Sequence, residues 1–199
     1  MLSPADPKTL FWARAAIYGG LWGAVEVTLG GFLHTLRVPL AGVFLAACEA
    51  GFLVAVRRIT GAKGIALAVA AVAACVKSLA PAGALLSPLV GIVTEGLLVE
   101  LAFLTLPGAW LPAVVGGAAS TLWSLAQFIL TQILFFGAGT LKVYELAYRG
   151  AQKMVGLPFT RAALLFPVVL LAFMGAGAGL WGLRLGGVAA KRLSPGGGP

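Results

Sequence analysis

Long, continuous stretches of apolar residues, separated by short segments with Pro, Gly or charged residues, make up most of the 199-residue chain. A helix that crosses a membrane needs about 17–25 such residues. Apolar and polar residues do not alternate within these stretches, and the stretches exceed the ~9–11 residues of a membrane β-strand. Both features argue against a β-barrel. The pattern predicts six transmembrane helices at 11–33, 39–56, 64–79, 88–106, 113–136 and 162–183.

The segment 141–155 follows a different pattern. Its apolar residues recur at helical spacing, and its charged residues fall on the opposite face: Lys142, Glu145, Arg149 and Lys153. This pattern predicts an amphipathic helix at the membrane surface, with a soluble connecting helix as the alternative. The predicted fold is an all-α membrane protein, a compact six-helix transmembrane domain at 11–183 with cytoplasmic segments at 1–10 and 184–199.

Composition supports this class. Hydrophobic residues make up 60% of the chain and charged residues 10%, whereas a soluble domain has about 25% charged residues. The net charge of +8 does not indicate nucleic-acid binding, because the basic residues lie mainly between apolar stretches, where they orient membrane helices. Eight of them fall on the side of the termini and five on the other, which predicts a multi-pass protein of the cell membrane with both termini cytoplasmic.

No enzyme signature is found in the sequence. HExxH, GxSxG and Walker A motifs are missing, so we expect no catalytic residues and no ATP hydrolysis by this chain. His34 is the single histidine and has no cluster of Cys or Asp beside it, so we expect no metal and no cofactor. It lies at the end of the first predicted helix, either at a ligand entrance or as a solvated interfacial residue.

Five charged residues lie inside predicted membrane helices: Glu26, Glu49, Lys77, Glu95 and Glu100. Each costs roughly 2.5–3.5 kcal/mol at the centre of a membrane helix. Such residues face the bundle interior, pair with one another or bind a ligand. A purely structural role in pairing helices is the alternative to a functional one.

Depth along the helices separates these residues into two groups. At about 1.5 Å per residue, Glu26, Lys77, Glu95 and Gln127 lie roughly 16–23 Å above the inner boundary, in the outer half of the membrane. They predict a substrate site, with Trp123 beside it and His34 as a further candidate. Glu49 and Glu100 form a second pair near ~10 Å, with Arg14 as the nearest basic residue in depth.

Small residues recur at four-residue spacing along the first helix. They form two adjacent rows: Ala15, Gly19 and Gly23 in one, and Ala16, Gly20 and Ala24 in the other. Such rows let helices approach closely. Both internal packing and docking on another membrane protein fit this pattern, and a large side chain on the outward row would block docking. Gly175 and Gly179 repeat the feature in the last helix.

These features together resemble the substrate-binding S components of energy-coupling factor (ECF) vitamin transporters. The resemblance rests on six compact spans, the row Ala15, Gly19 and Gly23, the loop Val-Pro-Leu-Ala-Gly at 38–42, and the segment Lys-Ser-Leu-Ala-Pro-Ala-Gly at 77–83 followed by Pro88. It implies cytoplasmic termini and an outer-half pocket closed by the first, third and fifth loops. It also implies that the first helix docks on a transmembrane coupling protein driven by two ATPase subunits. The buried Glu49 and Glu100 depart from the family pattern.

The sequence therefore predicts a membrane subunit that captures a small water-soluble metabolite or vitamin for an ATP-driven importer. Lys77 and Glu95 would be the charged contacts, which suits a ligand with both charges. Two alternatives stay open: a self-contained proton-coupled transporter, in which buried glutamates relay protons, and a membrane assembly subunit without a ligand.

Overall fold

A computed structural model describes residues 6–36, 38, 40–79, 86–137, 139–140, 142–143, 145–146, 149–150 and 165–193. The first helix consists of α1 (Pro7–Val25), a π-helical turn (Glu26–Gly30) and α2 (Gly31–Thr35). It is followed by α3 (Ala41–Thr60), α4 (Ile65–Ser78), α5 (Leu86–Thr105), α6 (Trp110–Phe136) and α7 (Leu165–Leu193). The described part of the chain contains no strand, which confirms the all-α fold.

Among the described residues, four helices are long and apolar enough to cross a membrane: Pro7–Leu33, Ser87–Thr105, Trp110–Phe136 and Leu165–Leu193. The apolar helix α4 is shorter, with 14 residues. Large apolar side chains point outward from the bundle; Trp12 is 62% exposed and Phe173 is 73% exposed. Because water would disfavour such a surface, it fits contact with lipid, and the chain is an integral membrane protein.

The helix ends lie close to the predicted boundaries, with three extensions. The first helix begins at Pro7, in the helical position where proline is best tolerated. Helix α3 continues to Thr60. The next residue, Gly61, stops the helix with a left-handed φ of 64°, which favours glycine. Helix α7 continues to Leu193. Parts of the predicted flanking segments 1–10 and 184–199 are therefore helical.

Glycines on α7 let it pack directly against two neighbouring helices. A Cβ atom at Gly179 would overlap the carbonyl oxygen of Ala113 on α6, and one at Gly182 would overlap that of Gly51 on α3. Gly175 faces Gly117 in the same way. The small residues of the last helix therefore serve internal packing, because backbone contact this close is possible only without side chains.

Contacts between these helices also show their directions. Gly117 faces Gly175 while Ala113 faces Gly179, so α6 and α7 are antiparallel. Gly19 faces Val72 and Gly23 faces Val76, so α1 and α4 are parallel. Successive helices therefore alternate in direction. One end of the bundle contains the ends of the first helix, α4 and α6 and the starts of α3, α5 and α7. We call this the cavity end; Asp6 and Leu193 lie at the opposite, terminal end.

The predicted amphipathic helix at 141–155 lies mostly outside the described residues. Within it, Lys142, Val143, Glu145, Leu146, Arg149 and Gly150 are described and helical. Arg149 and Glu145 lie one turn apart and form an ion pair, with 2.5 Å between Nη2 and Oε1. Both side chains are about half exposed, so this pair contributes little to stability.

Candidate functional site

A cavity of about 1030 Å³ lies between the helices at the cavity end of the bundle. Its volume matches the upper range of small-molecule sites, roughly 300–1,000 Å³. Every helix from the first to α7 contributes to its wall. The wall is largely apolar and includes Val43, Leu45, Ala46, Ile92, Leu125 and Leu171.

Charged residues from four helices converge on this cavity. Glu26 from the π-helical turn, Glu49 from α3, Lys77 from α4 and Glu95 from α5 all line it. The three glutamates are at most 5% exposed. Glu26, Lys77, Glu95 and Gln127, which the sequence assigns to one depth, are thus brought together around one space; their contact with a substrate stays a prediction.

Lys77 is bound to the π-helical turn of the first helix. Its Nζ donates a 2.6 Å hydrogen bond to the carbonyl oxygen of Glu26 and lies 3.2 Å from Oε2 of the same residue. Gly30 leaves the room for this contact, because a Cβ there would lie 3.0 Å from Nζ and 3.3 Å from Leu45. The ammonium group is therefore neutralised within the protein. π-helical turns occur frequently at functional sites.

Glu49 and Glu95 have no such basic partner. Lys77 is the only Lys or Arg among the described residues of the cavity wall, and the ion pairs in the described part of the chain do not involve Glu49 or Glu95. Both side-chain oxygens of Glu49 lack a hydrogen-bond donor in suitable geometry among the described residues, although Trp22 and Glu95 are close neighbours. The cavity therefore holds two buried carboxyl groups without a cation.

Gln127 provides a polar group on another part of the wall. Its side-chain amide nitrogen donates hydrogen bonds to the carbonyl oxygen of Ser87 and, at 3.1 Å, to the Ser87 hydroxyl. That hydroxyl also lies 3.1 Å from the Thr131 hydroxyl. This network joins α5 to α6 and presents hydroxyl and amide groups to the cavity, where Ser124 and Gln132 add two more polar side chains.

Two candidates from the sequence are not placed at the site. Trp123 does not belong to the cavity wall, and its indole N–H is buried without an acceptor among the described residues. It lies one helical turn before Gln127, on the same side of α6, but only Gln127 lines the cavity. The side chain of His34 lies outside the described residues.

Glu100 does not pair in depth with Glu49, and Arg14 is not its partner. Its carboxylate accepts hydrogen bonds from the backbone N–H groups of Gly64, at 2.6 Å, and Ala66, at 3.0 Å. It also lies 3.4 Å from Nε of Arg57. These contacts place a negative charge at the start of α4, where unpaired N–H groups and the helix dipole favour it. Glu100 therefore joins helices at the terminal end of the bundle.

The depth assigned to Glu49 from the sequence is wrong because α3 is longer than the apolar stretch. The helix ends at Thr60 rather than at position 56, so Glu49 lies about 16 Å from its end. Gly61, a common residue just after a helix, was the signal for that end. Arg57 and Arg58 interrupt the apolar stretch but not the helix. Glu49 thus reaches the cavity and joins the site.

The two rows of small residues on the first helix face different ways. Ala15, Gly19 and Gly23 are buried against α4, where a Cβ on Gly19 would lie 2.5 Å from Val72. A Cβ on Gly20 would meet no atom within 4 Å, and Ala16 and Ala24 are exposed. The inner row is required for packing, and the outer row leaves a shallow face on the outside of the bundle.

Comparison of the chain with protein-family models, with curated proteins and with solved structures finds no match. The fold and the site define its class: a helical integral membrane protein with an acidic, mostly apolar cavity of the size of a small organic molecule.

Proposed function

We propose that this protein is the substrate-binding subunit of an ATP-driven importer of the ECF type, located in the cell membrane with cytoplasmic termini. The observation that supports it best is the cavity itself. Its volume suits a vitamin-sized metabolite, and it gathers three of the four glutamates of the predicted membrane helices together with Lys77. A bundle that needed these charges only to hold helices together would pair them, as it does Glu100 with Arg57.

The outer row Ala16, Gly20 and Ala24 supports the second half of the proposal. An importer subunit without an ATPase motif needs a membrane partner that couples it to ATPases. Close approach of small residues is a main source of helix association in lipid. Because the inner row already packs on α4, the outer row is available for a transmembrane coupling protein. The protein itself would then bind and release its substrate without chemistry, cofactor or metal.

Copurification from native membranes tests this function. The tagged chain, extracted in mild detergent, should bring with it a coupling protein and two ATPase subunits. Gly20→Leu should abolish this association while the protein stays folded and retains its cavity ligand. Gly31→Leu is a matched control, because Gly31 also lies on the first helix with no atom within 4 Å of a Cβ. Association that survives Gly20→Leu would contradict the docking surface, and purification without any ATPase would contradict the importer.

A proton-coupled transporter is the second candidate, and one observation favours it. Glu49 and Glu95 are buried in the cavity without a basic partner in the described part of the wall, as proton-carrying residues in membranes often are. Reconstitution of the chain alone into liposomes separates the two functions. Solute uptake driven by a proton gradient without any other subunit would establish the transporter and exclude the importer subunit.

A further inference from the structure

We infer that the cavity binds an organic cation, whose ammonium or other positively charged group lies between Glu49 and Glu95. This inference rests on the proposed binding function and specifies its ligand. The sequence alone suggests a ligand with both charges, held by Lys77 and Glu95. The arrangement of the side chains changes that expectation, because it leaves the acidic groups of the cavity in excess.

The charges around the cavity do not balance within the described part of the chain. Glu26, Glu49 and Glu95 lie deep in the wall, and Lys77 is the single basic side chain there. Glu145 also lines the cavity, but it is half exposed and paired with Arg149. Lys77 and Glu26 compensate each other at 3.2 Å. Two buried carboxylates remain, and a buried carboxylate is costly unless it is paired with a cation or neutralised by a proton. A ligand with a positive charge supplies that pairing.

Glu49 shows most directly where the charged group of the ligand would lie. Its side chain is 1% exposed, lines the cavity, and has no hydrogen-bond donor in suitable geometry for either oxygen among the described residues. Buried polar atoms are nearly always hydrogen-bonded. The neighbouring Trp22 indole, which is itself unsatisfied among the described residues, offers one N–H donor for the two oxygens of Glu49, so a further donor can be accommodated there. An ammonium group provides up to three donors, enough for Glu49 and Glu95 together.

An anionic ligand does not fit the same groups. Lys77 is the obvious contact for an anion, but two atoms of Glu26 already accept its contacts. The neighbouring Gly30 leaves the space in which the ammonium group lies against the π-helical turn. A carboxylate or phosphate that entered the cavity would have to displace Glu26, because the described part of the wall offers no other Lys or Arg.

The walls indicate that the cation is organic rather than an inorganic ion. A volume of about 1030 Å³ far exceeds that of a metal ion, and most of the described lining residues are apolar. The described residues include no group of three or more His, Cys, Asp or Glu arranged to hold a metal. The apolar walls suit a hydrocarbon or aromatic body, and the hydroxyl and amide groups around Ser87 and Gln127 suit a polar substituent at its other side.

Three probes with one body and different head groups test the inference: 4-phenylbutylamine, 4-phenylbutanol and 4-phenylbutyrate. At pH 7 they carry a positive, no and a negative charge. Equilibrium dialysis of the purified full chain in detergent measures binding, with protein-free micelles as the blank. We expect the amine to bind at least tenfold more tightly than the alcohol, and the acid to show no binding above the blank. Equal binding of amine and alcohol, or no binding of the amine, overturns the inference; equal binding would mean that Glu49 and Glu95 are neutralised by protons.

Two isosteric variants locate the charged group. Glu49→Gln and Glu95→Gln should each weaken binding of the amine at least tenfold and leave binding of the alcohol unchanged. Glu100→Gln is the matched control, because Glu100 is equally buried but lies at the other end of the bundle. If the amine binds as tightly to both cavity variants as to the unaltered chain, the assignment is wrong. The preference of the unaltered chain for the amine tests the inference even if a variant does not fold.

The result is separable from that of the proposed importer. If a coupling protein and ATPases copurify with the chain but the chain shows no preference for the amine, the importer is supported and the cationic ligand is excluded. Cation binding by a chain that purifies without ATPases would retain the ligand class and reject the importer.

Discussion

Replacement of Lys77 by methionine removes the ammonium group but keeps a long side chain in the same space. The structure gives this group two contacts with Glu26, to the carbonyl oxygen at 2.6 Å and to Oε2 at 3.2 Å. The side chains of Lys77 and Glu26 are only 13% and 7% exposed. Without Lys77, Glu26 is left as a buried carboxylate without a partner, which in comparable pairs costs about 3–5 kcal/mol of unfolding free energy.

The double variant separates this cost from a loss of packing. Glu26→Gln removes the charge that needs a partner, so Lys77→Met combined with Glu26→Gln should be more stable than Lys77→Met alone. In a double-mutant cycle, we expect a coupling energy of at least about 2 kcal/mol. Denaturation in mixed detergent micelles, followed by tryptophan fluorescence, measures the four free energies.

Additive losses would refute this reasoning. If the double variant is as unstable as the sum of the two single variants, Lys77 and Glu26 do not form the pair that the structure shows. Lys77 would then be available for a ligand, and it could compensate Glu49 or Glu95 instead of Glu26. Gly30→Ala provides an independent check, because a Cβ at Gly30 would lie 3.0 Å from Nζ and should disturb the same pair.

Two further predictions concern packing and topology. Gly179→Ala should lower the unfolding free energy by about 1–3 kcal/mol or prevent folding, because the added methyl group overlaps the backbone of α6; Gly177→Ala on the same helix meets no atom within 4 Å, and equal effects of the two in thermal unfolding would contradict the packing. In a background without the native cysteines, a cysteine at Ala62 should resist an impermeant thiol reagent in intact cells, as the charge count predicts for a cytoplasmic loop. Labelling at Ala62 with none at a cysteine replacing Ala84, which lies outside the described residues, would invert the topology.

Much of the fold follows from the sequence because membrane helices are local structures. Every backbone hydrogen bond of a helix is made within its own segment. Lipid offers no hydrogen-bond partners, so a backbone group left unpaired there is costly. A continuous apolar stretch therefore predicts both the helix and its approximate ends. The rise per residue then gives the depth of each side chain, and this places Glu26, Lys77, Glu95 and Gln127 at one level.

The direction in which a side chain points around the helix axis is not local, and only the tertiary structure decides it. Both small rows of the first helix look alike in the sequence; the position of α4 makes Gly19 internal and leaves Gly20 outside.

Charge pairing also depends on contacts that are distant in sequence. The sequence offers Lys77 to either Glu26 or Glu95, and the π-helical turn with Gly30 selects Glu26. Arg57, and not Arg14, pairs with Glu100. The short connection between α3 and α4 places Arg57, near the end of α3, close to Gly64 at the start of α4, and Gly64 donates a hydrogen bond to Glu100. Thus the sequence determined which charges lie within the bundle and, except for Glu49, at what depth, whereas packing determined which are neutralised. The cavity is acidic because Lys77 is paired with Glu26. The energy of such a pair depends on the distance between two helices, which the sequence of a single helix does not specify.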